Sequence, residues 1–178
     1  MFEKAKSLHG NLKMIFMKII MTEEQFKSKN TRCSYTMEVS ASASTVFPLL
    51  CPVREYDWID GWKCEMIYSD SGVAEDGCVF KTSFPLLGEE TWMCTRYVLD
   101  QTIQYTRFSD NKIVRYDIDL IDTNDTKSSW LWIFSIVSLS EDGNNFIHNF
   151  NLESMCNKLK ELNILLEHFV KTGQKLLR

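Results

Sequence analysis

The side chains best suited to proton transfer lie in one short stretch, residues 51–62, which reads Cys-Pro-Val-Arg-Glu-Tyr-Asp-Trp-Ile-Asp-Gly-Trp. Its charged residues are Arg54, Glu55, Asp57 and Asp60. A carboxylic acid beside an oriented substrate can act as a general acid or base, and His148 is a further candidate. The simpler interpretation is that charges on a connection are solvated. The sequence therefore offers candidates for acid–base chemistry and assigns no catalytic residue.

Arg96 and Arg107 are candidates for binding an anionic group, because a planar guanidinium pairs well with a carboxylate or phosphate. In regular strands, Arg96 would share a face with Trp92, and Arg107 would share one with Tyr105. Two inward arginines would favour a ligand with a carboxylate or phosphate. The alternative is an ion pair across the sheet, for which the partners are Glu90 and Asp117.

Trp58 and Trp62 place two large indole rings on the same irregular connection. One interpretation is that both rings fill the core beneath the loop, since aromatic side chains dominate core burial. The other is that they border a ligand cavity. The sequence leaves both interpretations open.

Several classes of function lack their usual signatures. The 178 residues contain no Gly-x-Ser-x-Gly, Walker, dinucleotide-binding or His-Glu-x-x-His motif, which removes the usual basis for covalent hydrolysis, phosphoryl transfer and nicotinamide chemistry. A net charge of −4 argues against nucleic-acid binding, which needs clustered Lys and Arg. The 6 cysteines are scattered, with only 3 histidines beside them, so we expect reduced core thiols, no metal site and no cofactor.

The first 30 residues form a separate segment in this interpretation. Residues 12–21 are apolar, but they are too few, and too interrupted by Lys13 and Lys18, to span a bilayer. The segment has no convincing cleavage site for secretion, which favours the cytoplasm. Residues 22–25 resemble a helix capping box. Internal methionines offer alternative starts at Met14, Met17 and Met21. We therefore expect residues 1–30 to be an accessory extension or a misassigned start, and residues 31–178 to form one domain.

From residue 31 onward, alternating hydrophobicity predicts seven strands and a long C-terminal helix. The strand segments are 35–40, 64–69, 78–83, 91–99, 102–109, 112–122 and 128–139. After the first strand, Ser42 is the expected N-cap of a short helix that Pro48 breaks in two. Residues 141–144 are expected to form a turn, and Gly173 to end the last helix. The apolar stripe of that helix is Met155, Leu159, Leu162, Leu166 and Phe169.

This order of elements resembles the START-like, Bet v 1-like superfamily, also called SRPBCC, which includes polyketide cyclase/dehydrase and lipid transport proteins. Residues 39–47 resemble its first strand and helix start, residues 77–80 (Gly-Cys-Val-Phe) its third strand, and residues 130–132 (Trp-Leu-Trp) its final strand. Residues 51–62 are similar to an uncharacterised bacterial subgroup. The resemblance implies an α+β helix-grip fold, with a curved antiparallel sheet wrapped around the long helix. Because the superfamily holds both carriers and enzymes, the fold alone does not decide the function.

A sheet bent around a helix leaves a space that alternate strand residues line, and ligand sites are generally apolar with a few polar groups. With the loop tryptophans and the arginines added, the predicted ligand-binding residues are Trp58, Trp62, Met66, Tyr68, Phe80, Trp92, Arg96, Tyr105, Arg107, Tyr116, Trp130, Trp132, Phe146, Phe150 and Met155. The alternative is that these side chains fill the space and leave a dry core.

We therefore predict a cytoplasmic protein that binds a small hydrophobic or amphipathic molecule, with no metal, no nucleic acid and no stable membrane insertion. The first alternative is an aromatase/cyclase- or dehydrase-like enzyme, which an acid or base projecting into the cavity would distinguish. The second is a non-catalytic interaction module with a filled core, whose aromatic loop contacts another protein and would expose a large apolar patch.

Overall fold

The computed structural model describes residues 26–84 and 88–177, and these form one curved, seven-stranded antiparallel sheet with a long C-terminal helix. The strand order across the sheet is β1-β7-β6-β5-β4-β3-β2. The strands are β1 Asn30–Val39, β2 Cys64–Tyr68, β3 Val79–Phe84, β4 Gly88–Val98, β5 Thr102–Phe108, β6 Lys112–Thr123 and β7 Ser128–Ser138. The predicted helix-grip architecture is therefore confirmed.

The helices lie where the capping signals place them, with one exception. The α-helices are α1 Ala43–Val46, α2 Glu141–Asn149 and α3 Leu152–Thr172, and 3-10 helices cover Phe47–Leu50 and Glu55–Asp57. The short helix is divided in two as predicted, with Pro48 in the first turn of the 3-10 helix that follows α1, and Gly173 ends α3 in the left-handed conformation, also as predicted. The exception is α2, because residues 141–144, predicted as a turn, open a helix in which Ser140 Oγ accepts the amide of Gly143.

Helix α3 is fastened to the first strand by hydrogen bonds as well as by apolar packing. Asn163 of α3 donates to the carbonyl of Glu38 at 2.9 Å and accepts from the backbone amide of Glu38 at 3.3 Å. One turn further on, the Glu167 carboxylate accepts the amide and the hydroxyl of Ser40 at 2.8 and 2.6 Å. The buried face of α3, which includes Leu159 and Leu166, is thereby held over one end of the strand order.

Two bulges change which side chains face the helix. The register of β2 against β3 shifts between Met66 and Tyr68, so Tyr68 lies opposite Val79 and turns outward with 55% of its surface exposed. The register of β4 against β5 shifts between Cys94 and Arg96. An extra residue on one strand reverses the alternation beyond it. The expectation that Tyr68 and Arg96 face inward is therefore wrong, since simple alternation cannot foresee a bulge.

Helix α2 touches the turn between β5 and β6 at a glycine. A Cβ on Gly143 would lie 2.0 Å from the carbonyl oxygen of Asn111. The same oxygen accepts the amide of Leu139 at 2.8 Å. Because the obstacle is backbone that already makes a hydrogen bond, the turn can move only by breaking that bond.

Gly143→Ala should therefore lower the free energy of unfolding by about 1–3 kcal/mol, the usual cost of overpacking, although alanine favours helices elsewhere. Asn145→Ala on the exposed side of α2 is the control, and we expect it to stay within about 0.5 kcal/mol of the native protein. Urea denaturation of the two variants measures both values. A Gly143→Ala variant as stable as the control would contradict the close contact.

No helix among the described residues is long and apolar enough to cross a membrane. The predicted capping box at 22–25, the apolar stretch 12–21 and the three alternative starts lie outside the described residues.

Candidate functional site

A continuous run of aromatic rings crosses the inner face of the sheet and reaches the helices. Successive ring centroids lie 5.1–6.2 Å apart from Phe80 to Phe146, which suits offset or edge-to-face contact. Its members, here called the aromatic row, are in order Phe80, Trp92, Tyr116, Phe134, Phe150 and Phe146. Tyr105 meets Phe80 edge-on at 5.4 Å. The middle of the inner face is thus packed with rings.

A cavity of about 320 Å³ lies beside this row, at the sheet end where β4 begins, β5 ends and β6 begins. It is lined by Glu89, Glu90, Thr91, Arg107, Phe108, Ser109, Lys112 and Val114. Its volume is within the lower range for small-molecule sites. Val114 is fully buried on the inner face, so the cavity joins the protein interior to the strand ends.

Two cations border this cavity, and each lies over an aromatic ring. The Arg107 guanidinium carbon is 4.9 Å from the ring centre of Trp92, and Lys112 Nζ is 4.3 Å from that of Phe146. Both distances suit a cation–π interaction. Arg107 also forms an ion pair with Glu90, which is the alternative that the sequence left open for this residue.

The charge states of these cations reflect their burial. Only 15% of the Arg107 side chain and 17% of the Glu90 side chain are exposed. Burial lowers the pKa of Arg107, and burial together with the nearby Arg107 charge lowers the pKa of Lys112. Lys112 Nζ bonds the amide oxygen of Asn111 at 3.3 Å, but no carboxylate of the described residues pairs with it.

Glu55 is the candidate acid or base whose environment differs most from water. Burial raises the pKa of its carboxyl to about 8. Burial is also the main cause of the raised pKa values of Tyr105 and Tyr116 on the inner face, and the Glu55 charge adds to both. Within the described ranges the carboxyl accepts no hydrogen bond. A carboxylic acid with this pKa can both donate and accept a proton near neutral pH.

The other charged candidates are solvated, as the simpler interpretation predicts. Arg54 and Asp57 form an exposed ion pair at 2.7 Å, and Asp60 and His148 are both exposed. Arg96 lies on the outer face, 58% exposed, with Asp119 at 3.9 Å. None of these five groups reaches the inner face of the sheet.

The four other tryptophans divide into core and loop residues. Trp58 is fully buried and donates to the carbonyl of Leu49 at 2.8 Å, while the half-buried Trp62 donates to that of Pro52 at 2.8 Å. Trp130 is fully buried and bonds Ser128 Oγ at 2.9 Å. Trp132 is also buried, yet its Nε1 has no hydrogen-bond partner among the described residues.

The remaining predicted site residues lie at the edges of the aromatic row. Met66 is half-buried and pairs with Phe80 across β2 and β3. Met155 of α3 accepts a weak hydrogen bond from the Tyr116 hydroxyl at 3.9 Å. The structure thus brings most of the predicted residues to one face, and of these only Arg107 lines the larger cavity.

A smaller cavity of about 140 Å³ lies near the opposite end of the sheet and is lined mainly by apolar residues between the first 3-10 helix and β4. In the described part of the chain, no group of three or more His, Cys, Asp or Glu side chains could hold a metal ion.

Neither a family model nor a curated protein matches this sequence, whereas solved structures match its shape. Norcoclaurine synthase from Thalictrum flavum covers 85% of this chain and 96% of its own, at 15% identity and a TM-score of 0.61. The chain has the START-like helix-grip fold. A START superfamily protein from Mycobacterium smegmatis (TM-score 0.61, 13% identity) covers 80% of this chain and 99% of its own. Zhui aromatase/cyclase from Streptomyces sp. R1128 (TM-score 0.55, 14% identity) covers 83% of this chain and 100% of its own.

These similarities confirm the predicted resemblance to the START-like, Bet v 1-like superfamily at the level of the fold. The synthase has also been solved in complex with dopamine and hydroxybenzaldehyde. At these identities the START-like fold itself is what the chain shares with each protein, because one fold hosts many functions.

Sequence reasoning missed three residues of the site. Lys112 was assigned only to the start of a strand, although its alternation with Val114 places it on the inner face. Glu90 was considered only as a partner for an arginine. Phe134 alternates with Trp132 on β7 and was available from the same pattern that identified its neighbours.

Proposed function

We propose that this protein binds a small, planar hydrophobic molecule at the inner face of its sheet. The observation that carries the proposal is the 320 Å³ cavity next to the aromatic row, whose mixed lining includes Val114, Phe108 and two cations that lie over rings of the row. Trp92 belongs to the row and lies under Arg107, which lines the cavity. A flat ring that enters from the strand ends can therefore stack against existing rings.

We also propose that the protein is cytoplasmic, because its cysteines are free thiols. All six cysteines are free thiols, although Cys33 lies close enough to Cys156 for a side-chain hydrogen bond. Free thiols in such pairs persist in a reducing compartment.

Binding can be tested with 2-naphthylacetamide, a neutral planar probe, by following the indole N–H signals of the tryptophans in ¹⁵N-labelled protein. We expect the Trp92 signal to move on titration, because its ring lies under Arg107, which lines the cavity. Trp130 is the internal reference, since β7 pairs it with Leu120 towards the other end of the sheet. No movement of any indole signal at millimolar probe would reject binding and favour an interaction module with a filled core.

A second candidate function is an acid–base enzyme of the cyclase or dehydrase kind, which the position of Glu55 favours. Its charge contributes to the raised pKa values of two inner-face tyrosines, Tyr105 and Tyr116, both of which are raised mainly by burial. Such a group can remove a proton from a carbon next to a carbonyl and return a solvent deuteron in D₂O. Exchange of the methyl protons of 2-acetylnaphthalene should then be accelerated by the native protein and lost in Glu55→Gln. Equal exchange in both proteins would reject this role.

A further inference from the structure

We infer that the bound molecule carries a single carboxylate, held between Arg107 and Lys112 at the open end of the cavity. The inference rests on the proposed binding function and names the chemical class of the ligand. The inference also rests on the charged side chains around the cavity, where Arg107 is paired with a carboxylate and Lys112 is not.

Two cations and two carboxylates line the cavity, but only one cation is paired with a carboxylate. Glu90 pairs with Arg107, and the Lys112 ammonium has no carboxylate partner in the described part of the chain. Glu89, which also lines the cavity, is exposed, so water screens its charge. Arg107 and Glu90 are largely buried and Lys112 is half-buried, and these three side chains together carry a net charge of about +1.

The two cations line the same cavity and repel one another, and this repulsion adds to burial in lowering the pKa of Lys112. An anion between them would offset this repulsion and gain charge-assisted hydrogen bonds from both. Each cation packs against the face of an aromatic ring, Arg107 on Trp92 and Lys112 on Phe146. The two donors are therefore oriented before a ligand arrives, which reduces the entropy lost on binding.

A carboxylate fits this charge better than a phosphate. One negative charge balances the +1 of the three side chains, whereas a phosphate monoester, with a charge of about −1.5 to −2 at neutral pH, would leave an excess of negative charge beside Glu90. The hydrophobic part of the molecule would extend past Val114 towards the aromatic row.

The test compares three probes of one shape by isothermal titration calorimetry: 2-naphthylacetic acid, neutral 2-naphthylacetamide and 2-naphthylmethyl phosphate. We expect the acid to bind the native protein about 10-fold more tightly than the amide, as one charge-assisted hydrogen bond would give. The phosphate should bind more weakly than the acid.

Lys112→Met should lower the ratio of acid affinity to amide affinity from about 10 to about 1. Lys127→Met is the matched control, because Lys127 is an exposed lysine just beyond the far end of β6, paired with Glu38. Glu90→Gln should increase the preference for the acid, since it releases Arg107 from its partner. Thermal unfolding of each variant establishes that it is folded.

The outcomes separate the two proposals. If no probe binds, the proposed function fails and the inference fails with it. If acid and amide bind equally, or Lys112→Met keeps the preference of the native protein, the binding function stands and the carboxylate site is rejected. A phosphate that binds more tightly than the acid would also overturn the inference.

Discussion

Trp58→Ala is expected to lower the free energy of unfolding by about 3–5 kcal/mol, the usual range for deleting a buried aromatic side chain. Trp58 is fully buried in the core, and its indole N–H donates to the carbonyl of Leu49 at 2.8 Å. The substitution therefore leaves a cavity and an unpaired carbonyl in the first 3-10 helix. Equilibrium denaturation in urea measures the loss.

Trp62→Ala is the matched control, because Trp62 makes the same kind of hydrogen bond, to Pro52 at 2.8 Å, but is only half-buried. We expect this variant to lose less than half as much stability. The difference between the two variants isolates the effect of burial from that of the hydrogen bond. Equal losses would contradict a core role specific to Trp58 and would assign both rings to the packing of the loop.

The stability of the native protein is expected to fall as the pH rises from about 4.5 to about 8, because of Glu55. Burial raises the pKa of this carboxyl from 4.5 in the unfolded chain to about 8 in the folded protein. The folded state therefore holds its proton more tightly than the unfolded state does. This contribution to stability is complete below pH 4.5 and is lost as the pH rises through 8.

Glu55→Gln, which is neutral at every pH, should remove this dependence. The variant should match the native protein near pH 4.5 and exceed it by about 2–4 kcal/mol above pH 8, the range that a shift of this size gives for a partly accessible group. Asp57→Asn is the control, since Asp57 lies two residues away in an exposed ion pair. Urea denaturation at several pH values is the measurement. Parallel pH profiles for native protein and Glu55→Gln would show that the carboxyl is solvated.

Most of the fold was predictable from the sequence because most strands alternate between a buried and a more exposed face. Alternation along β6, with Val114 and Ile118 buried and Arg115 exposed, identified the strand and its inner side together. The apolar stripe on α3 likewise identified the helix and its buried side. The prediction was wrong at residues 141–144, where turn-forming residues become helical because Ser140 caps them and α2 packs against β7.

The site was less predictable, because it depends on contacts between distant residues. Arg107 was identified correctly as inward-facing, whereas the bulge in β4 turned Arg96 outward. Lys112 became a site residue only when α2 placed Phe146 against it. Among four similar charges on one loop, nothing in the spacing distinguished Glu55, which burial alone singles out.

The sequence by itself determined the order of elements, the inner face of most strands and the aromatic character of that face, since these follow from periodicity along single segments. Tertiary structure alone decided where the rings pack and where a cavity remains, which cations border it, and which loop carboxyl has its pKa raised by burial. The physical reason is that burial and charge pairing are properties of neighbours in space. Bulges and packing angles determine which residues are neighbours, and a one-residue shift of a strand moves its side chains to the opposite face of the sheet.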